Sequence, residues 1–135
     1  MPVLYAEETA YLGILAVPAL ELPVAAQWSE EQLRTSPCVY SGSYVTGDLT
    51  ILGNNYRSQF SPLAHLPIGA QLCLTTADGQ MLNYLVSNRE TLSAQEVDRL
   101  TGRTGVDDWD LSLVTGGIDS ASRCVLRCVR VSAPA

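Results

Sequence analysis

Leu111-Ser112-Leu113-Val114-Thr115-Gly116, with Arg123 seven positions further on, is the stretch on which the reading of this 135-residue chain turns. Trp109–Thr115 and Arg123–Val131 both carry the pattern of short β-strands. Between them Gly116-Gly117 supplies the unusual backbone angles that a turn between hairpin strands uses. Successive side chains on a strand point to opposite faces, so Thr115 faces away from position 116 and Cys124 away from Arg123.

Outward from this stretch, further β-patterned runs span Tyr11–Val17, Cys38–Ser41, Leu49–Gly53, Gln71–Thr76 and Met81–Asn88. Asp78-Gly79 between two of them is a hairpin signal, and Gly47-Asp48 marks another tight turn. Three short helices announce themselves by their caps. Ser29-Glu30-Glu31-Gln32 and Ser93-Ala94-Gln95-Glu96 are capping-box patterns, and Ser61-Pro62 sets an N-cap before a first-turn proline. Thr101 to Asp108, rich in Gly and Asp, reads as a loop bordering any groove at the Trp109 strand. The expectation is an all-β chain, 1–135, forming one domain: a closed or nearly closed barrel of about eight strands with short helices at its rims.

Composition narrows the function classes. A net charge of −6 with no basic patch argues against nucleic acid and anionic membrane surfaces as partners. All eight basic residues are Arg, so no lysine is present to accept an isopeptide cross-link. The apolar run Thr9 to Ala26 follows Glu7 and Glu8, where a signal peptide would be basic, and Pro18, Glu21 and Pro23 interrupt it. It reads as an opening strand and a proline-bounded turn, so no membrane contact is expected of this segment; an anchor, if the natural protein has one, lies outside it. Cys38, Cys73, Cys124 and Cys128 include no C-x-x-C pair. On one strand Cys124 and Cys128 would lie about 13 Å apart, too far for a disulfide. They read as free buried thiols, and with His65 the only histidine no metal and no cofactor are expected.

In their order and spacing these pieces resemble the sortases, the cysteine transpeptidase family of Gram-positive cell envelopes. That family's active-site strand reads T-L-x-T-C and ends on its nucleophile; Leu111–Gly116 is similar, with Gly116 in the Cys place. Ile51-Leu52-Gly53-Asn54-Asn55-Tyr56-Arg57 is similar to the segment in which a catalytic His follows the Gly, and Asn54 stands in the His place. Phe60, Leu63, Leu66 and Gly69 match the family's F-x-x-L-x-x-L-x-x-G segment, and the last strand supplies Arg123. Leu15–Pro18 with Leu22–Val24, then Ser29 to Arg34, are similar to the family's first strand, its turn and the short helix after it. The resemblance implies a sortase-like eight-stranded β-barrel and a site at positions 54, 116 and 123, with substrate contacts from Arg123 and Thr115.

Such a site needs a thiolate that forms a thioacyl intermediate, an imidazolium that donates to the leaving amine, and an Arg that stabilises the oxyanion. Gly116 offers no nucleophile, and Asn54 does not titrate near neutrality. Thr115, Cys124, Cys73 and His65 are the conceivable substitutes: the sequence shows no base for Thr115 or a cysteine, and His65, in the short helix after Pro62, reads as a surface residue rather than a groove one. Arg127 and Arg130 read as side chains reaching solvent from the same strand as Arg123. The first functional expectation is a catalytically degenerate sortase-like domain that binds or scaffolds a sorting-signal-like peptide or cell-envelope protein outside the cell. The alternative is a sortase transpeptidase, joining sorting-signal proteins to the cell wall or a pilus, whose catalytic residues are substituted in this chain. A third is a hydrolase using Thr115 or a cysteine.

Overall fold

β-Branched and aromatic residues in alternation build strands that can bury one face, and here those strands close into a ring. The computed structural model describes residues 1–18, 20–53, 66–93, 95–96, 109–115 and 122–131. Its elements are β1 (Leu4–Ala6), β2 (Thr9–Val17), β3 (Leu20–Ala25), α1 (Glu30–Leu33), β4 (Cys38–Ser41), β5 (Leu49–Leu52), β6 (Gln71–Thr76), β7 (Met81–Ser93), β8 (Leu111–Thr115) and β9 (Ser122–Val131). The order around the sheet is β2-β3-β4-β5-β8-β9-β7-β6, and β6 returns to β2. That is a closed eight-stranded barrel, as the sequence predicts. β1 is a ninth strand, added to the N-terminal half of β2 by a hairpin.

Closure is made by Gly13–Ala16 of β2 pairing with Cys73–Thr76 of β6. Gly13 sits at this seam with β3 on its other side. A Cβ there would fall 2.0 Å from the Thr75 carbonyl oxygen, so only glycine admits so close an approach. Two pairings are parallel: β3 with β4 at Ala25 and Cys38, and β5 with β8 from Leu49 and Leu111 to Leu52 and Val114. The rest are antiparallel.

One apolar cluster draws residues from all eight ring strands, among them Leu12, Leu22, Val39, Ile51, Leu74, Tyr84, Leu113 and Leu126, and this fills the lumen. A second, smaller cluster of Ala25, Leu33, Cys38, Leu52, Leu92, Val114 and Val125 lies on the outer face, where α1 contributes Leu33. The helix starts as its cap predicts: Ser29 Oγ accepts the Gln32 amide at 2.9 Å. In the second capping box the Ser93 amide donates to Glu96 Oε1 at 3.0 Å, the reciprocal half of the motif, but Ser93 is the last residue of β7 and the body of the expected helix lies outside the described residues. The Ser61-Pro62 cap and the Thr101–Asp108 loop lie outside the described residues.

Both expected turns form. Gly79 (φ +88°) closes the β6–β7 hairpin, with the Thr76 amide bonded to the Gln80 carbonyl at 2.8 Å. Gly47 (φ +73°) turns the chain into β5, and Asp48 braces that loop by accepting the Ser43 amide at 3.0 Å. The β1–β2 turn is unusual in placing two glutamates, Glu7 (φ +50°) and Glu8 (φ +70°), in the left-handed region that favours Gly or Asn.

Two sequence expectations need correction. The segment expected as a proline-bounded turn is strand β3, paired with β2 from Val17–Leu20 to Tyr11–Ala25. Pro23 is tolerated because its side chain is exposed and β3 meets its other neighbour only at Ala25. β7 continues past Asn88 to Ser93 because a bulge between Val86 and Asn88 inserts one residue. That slip exchanges the two faces of the strand, so Leu82, Tyr84 and Val86 point into the lumen while Leu92 joins the outer cluster.

Candidate functional site

Strand direction gathers the site-bearing segments at one rim of the barrel. β5 and β8 run parallel, so both end there, and the Gly53 amide donates to the Val114 carbonyl at 2.9 Å. β9 runs the other way and begins at the same rim, where Thr115 pairs with Cys124 and Arg123 pairs with Leu92 of β7. Gly53, Thr115 and Arg123 are therefore brought to neighbouring strand ends. Asn54, Gly116 and His65 lie outside the described residues.

Directly paired residues share a face. Ala25, Cys38, Leu52, Val114 and Val125 form one row across the outer face of β3, β4, β5, β8 and β9. Arg123 is two positions from Val125 and so falls on that face at the rim end of the row, only 3% exposed. Cys124 packs on the lumen side, facing away from it. Thr115 is buried, and its hydroxyl donates to the Cys124 carbonyl at 3.2 Å, which ties the ends of β8 and β9 together.

The next outer row holds Thr50, Ser112 and Arg127, all buried. Arg127 was expected to reach solvent; it is 3% exposed instead. Its Nε donates to Glu90 Oε2 at 2.7 Å and its Nη1 to Ser112 Oγ at 2.7 Å. The guanidinium also lies 5.0 Å from the centre of the Trp109 ring. A buried guanidinium persists only with such partners. Glu90 was missed as that partner because it lies beyond the bulge of β7. The signal for it was present in the sequence, since Asn88, Glu90 and Leu92 keep the strand alternation. Arg130 is exposed, as expected.

All four cysteines are free thiols. Burial pushes the Cys38 thiol up to about 11, against hydrogen bonds from neighbouring serines that lower it, and burial alone pushes Cys128 up to about 12. At pH 7 a thiol with a pKa of 11 is thiolate in only about one molecule in ten thousand, so neither is a nucleophile. Among the described residues no three His, Cys, Asp or Glu side chains gather as a metal site would need, and no helix is long and apolar enough to cross a membrane.

These raised values carry a pH dependence. Burial also lifts Tyr84 to about 12. Each of these groups folds neutral and ionises more readily in the unfolded chain, so its contribution is complete below its unfolded pKa. It is lost as pH rises through the folded value. Stability is therefore expected to fall from about pH 9 toward pH 12, with Cys128→Ala shallowing the decline. Urea midpoints taken at intervals of pH check this; a midpoint flat across that window contradicts it.

No family model matches the sequence, and no curated protein matches it. Solved structures do match. Sortase C1 from Streptococcus agalactiae superposes with TM-score 0.77 at 23% identity, over 96% of this chain and 72% of that one. Sortase C from Streptococcus pneumoniae gives 0.76 at 21% identity, over 98% and 74%. Sortase A from Corynebacterium diphtheriae gives 0.79 at 18% identity, over 94% and 63%. The chain has the sortase fold.

Proposed function

We propose that this chain is a catalytically degenerate sortase-like domain that binds a sorting-signal-like peptide, or a cell-envelope protein carrying one, outside the cell. What carries the reading is Arg123, buried on the outer face of the rim where Gly53 and Thr115 end, while the residue after Thr115 is a glycine. An arginine so placed can hold a carbonyl or carboxylate with charge-assisted bonds. Position 116, having no side chain, supplies no attacking atom. The described thiols do not replace it: Cys38 and Cys128 are held protonated, Cys124 faces the lumen, and Cys73 lies level with Val131, at the other end of β9 from Arg123. The fold supports the peptide part of the reading, since it is shared with a sortase C studied for its pilin substrate specificity.

The test is intact-mass analysis after incubation with sorting-signal peptides, beside calorimetric titration of the same peptides. Reversible binding with an unchanged protein mass is expected. A stable acyl adduct overturns the reading, and Cys124 is then the first thiol to map.

A further inference from the structure

A concavity of about 510 Å³ lies between the β1–β2 hairpin and the segment that enters α1, on strands β2 and β3, which are three and four places around the closed ring from the β9 strand of Arg123. Its volume is that of ordinary ligand pockets. Ala10 and Ala25 are among its lining residues, and Tyr5 and Trp28 give it aromatic walls that are 70% and 37% exposed. The Trp28 indole leans on Tyr40, ring centres 6.0 Å apart, which supports it from one side. Glu8 is the single charged side chain among the described lining residues. A carboxylate beside two aromatic faces favours a cation over a neutral or acidic group, and the chain's net charge of −6 acts in the same direction.

The hairpin also indicates the form in which the ligand arrives. β1 pairs with β2 alone among the described strands, so its second edge presents unpaired backbone groups. Val3 and Tyr5, two positions apart, both line the concavity. An extended segment added to that edge would send every second side chain to the same face. We propose that this concavity takes a basic side chain, Arg or Lys, from an extended segment of a partner protein that adds to the free edge of β1. The lining shares no residue with Gly53, Thr115 and Arg123, and the proposal stands whether or not that rim binds peptide.

The probe is a blocked six-residue peptide of alternating threonine and arginine, compared with the same peptide carrying citrulline for arginine. Titration followed by backbone amide NMR is expected to shift Val3, Leu4 and Tyr5. The arginine peptide should bind about five-fold tighter, the scale of one exposed cation–aromatic and carboxylate contact. Glu8→Gln should weaken that preference, leaving the part due to the aromatic faces. Glu7→Gln removes the same charge from the same turn but outside the lining, and should retain it; thermal melts of both variants establish that they remain folded. The proposal is overturned by equal affinity for the two peptides, by a preference undiminished in Glu8→Gln, or by shifts confined to other strands. Absence of binding at millimolar peptide overturns it too, as does a dimer in which a second copy occupies β1.

Discussion

Alanine at position 13 will destabilise the chain by about 3 kcal/mol or more, the range of severe overpacking against an unyielding neighbour. The added Cβ meets the Thr75 carbonyl oxygen at 2.0 Å and the Thr76 Cα at 3.0 Å, both backbone atoms that cannot swing aside. Relief requires β6 to move away from β2, and that pairing is the one that closes the ring. Gly79→Ala is the natural comparison. It has nothing within 4 Å and meets only the cost of its positive φ, about 1–2 kcal/mol. Urea unfolding of the two variants separates crowding from backbone strain. A Gly13→Ala midpoint equal to the parent's would show that the seam is looser than described.

The second large effect is a gain. Asn54→His with Gly116→Cys is expected to produce a thioacyl adduct with a sorting-signal peptide, where the parent forms none. Each single change should stay near background: a thiol without its proton donor, or a donor without a nucleophile, is half of a unit whose members act together. Positioned proton transfer contributes about a hundredfold or more, and the pair should exceed the Cys variant alone by that order. Arg123 is buried at the rim to which the strand ends before both positions lead. Intact mass and peptide cleavage measure the outcome, with a thermal melt to establish folding. A folded double variant inert toward a broad peptide panel would remove peptide binding from the proposed function and leave a structural role.

Much of the barrel was legible because strand alternation and turn chemistry are local. Cys38–Ser41 and Gln71–Thr76 are strands with the bounds the sequence suggests, and Asp78-Gly79 turns where expected. The misreadings share a cause: each depends on what lies across the sheet. Pro23 looks like a strand breaker until β3 is seen with a nearly open second edge. Arg89-Glu90-Thr91 looks like the end of a strand until the bulge at Val86 turns its faces over. Arg127 looks solvent-bound until that same extension of β7 sets Glu90 beside it. For the site, Arg123 and Thr115 end at one rim but on opposite faces of the sheet, Thr115 toward the lumen with Cys124, and positions 54 and 116 lie outside the described residues. Pairing direction explains the shared rim, and no local pattern in the sequence encodes that direction.

The parallel pairing of β5 with β8 bears on how the chain reaches this state. Ile51 meets Leu113, 62 positions further along, so the two strands find each other only after a long loop has closed. The β2–β3 and β6–β7 hairpins close over much shorter separations and can form early. The rim that carries Arg123 is therefore expected to assemble after these hairpins. Substitutions there are then expected to act more on the unfolding rate than on the folding rate, which stopped-flow kinetics of a Thr115→Ala variant would measure.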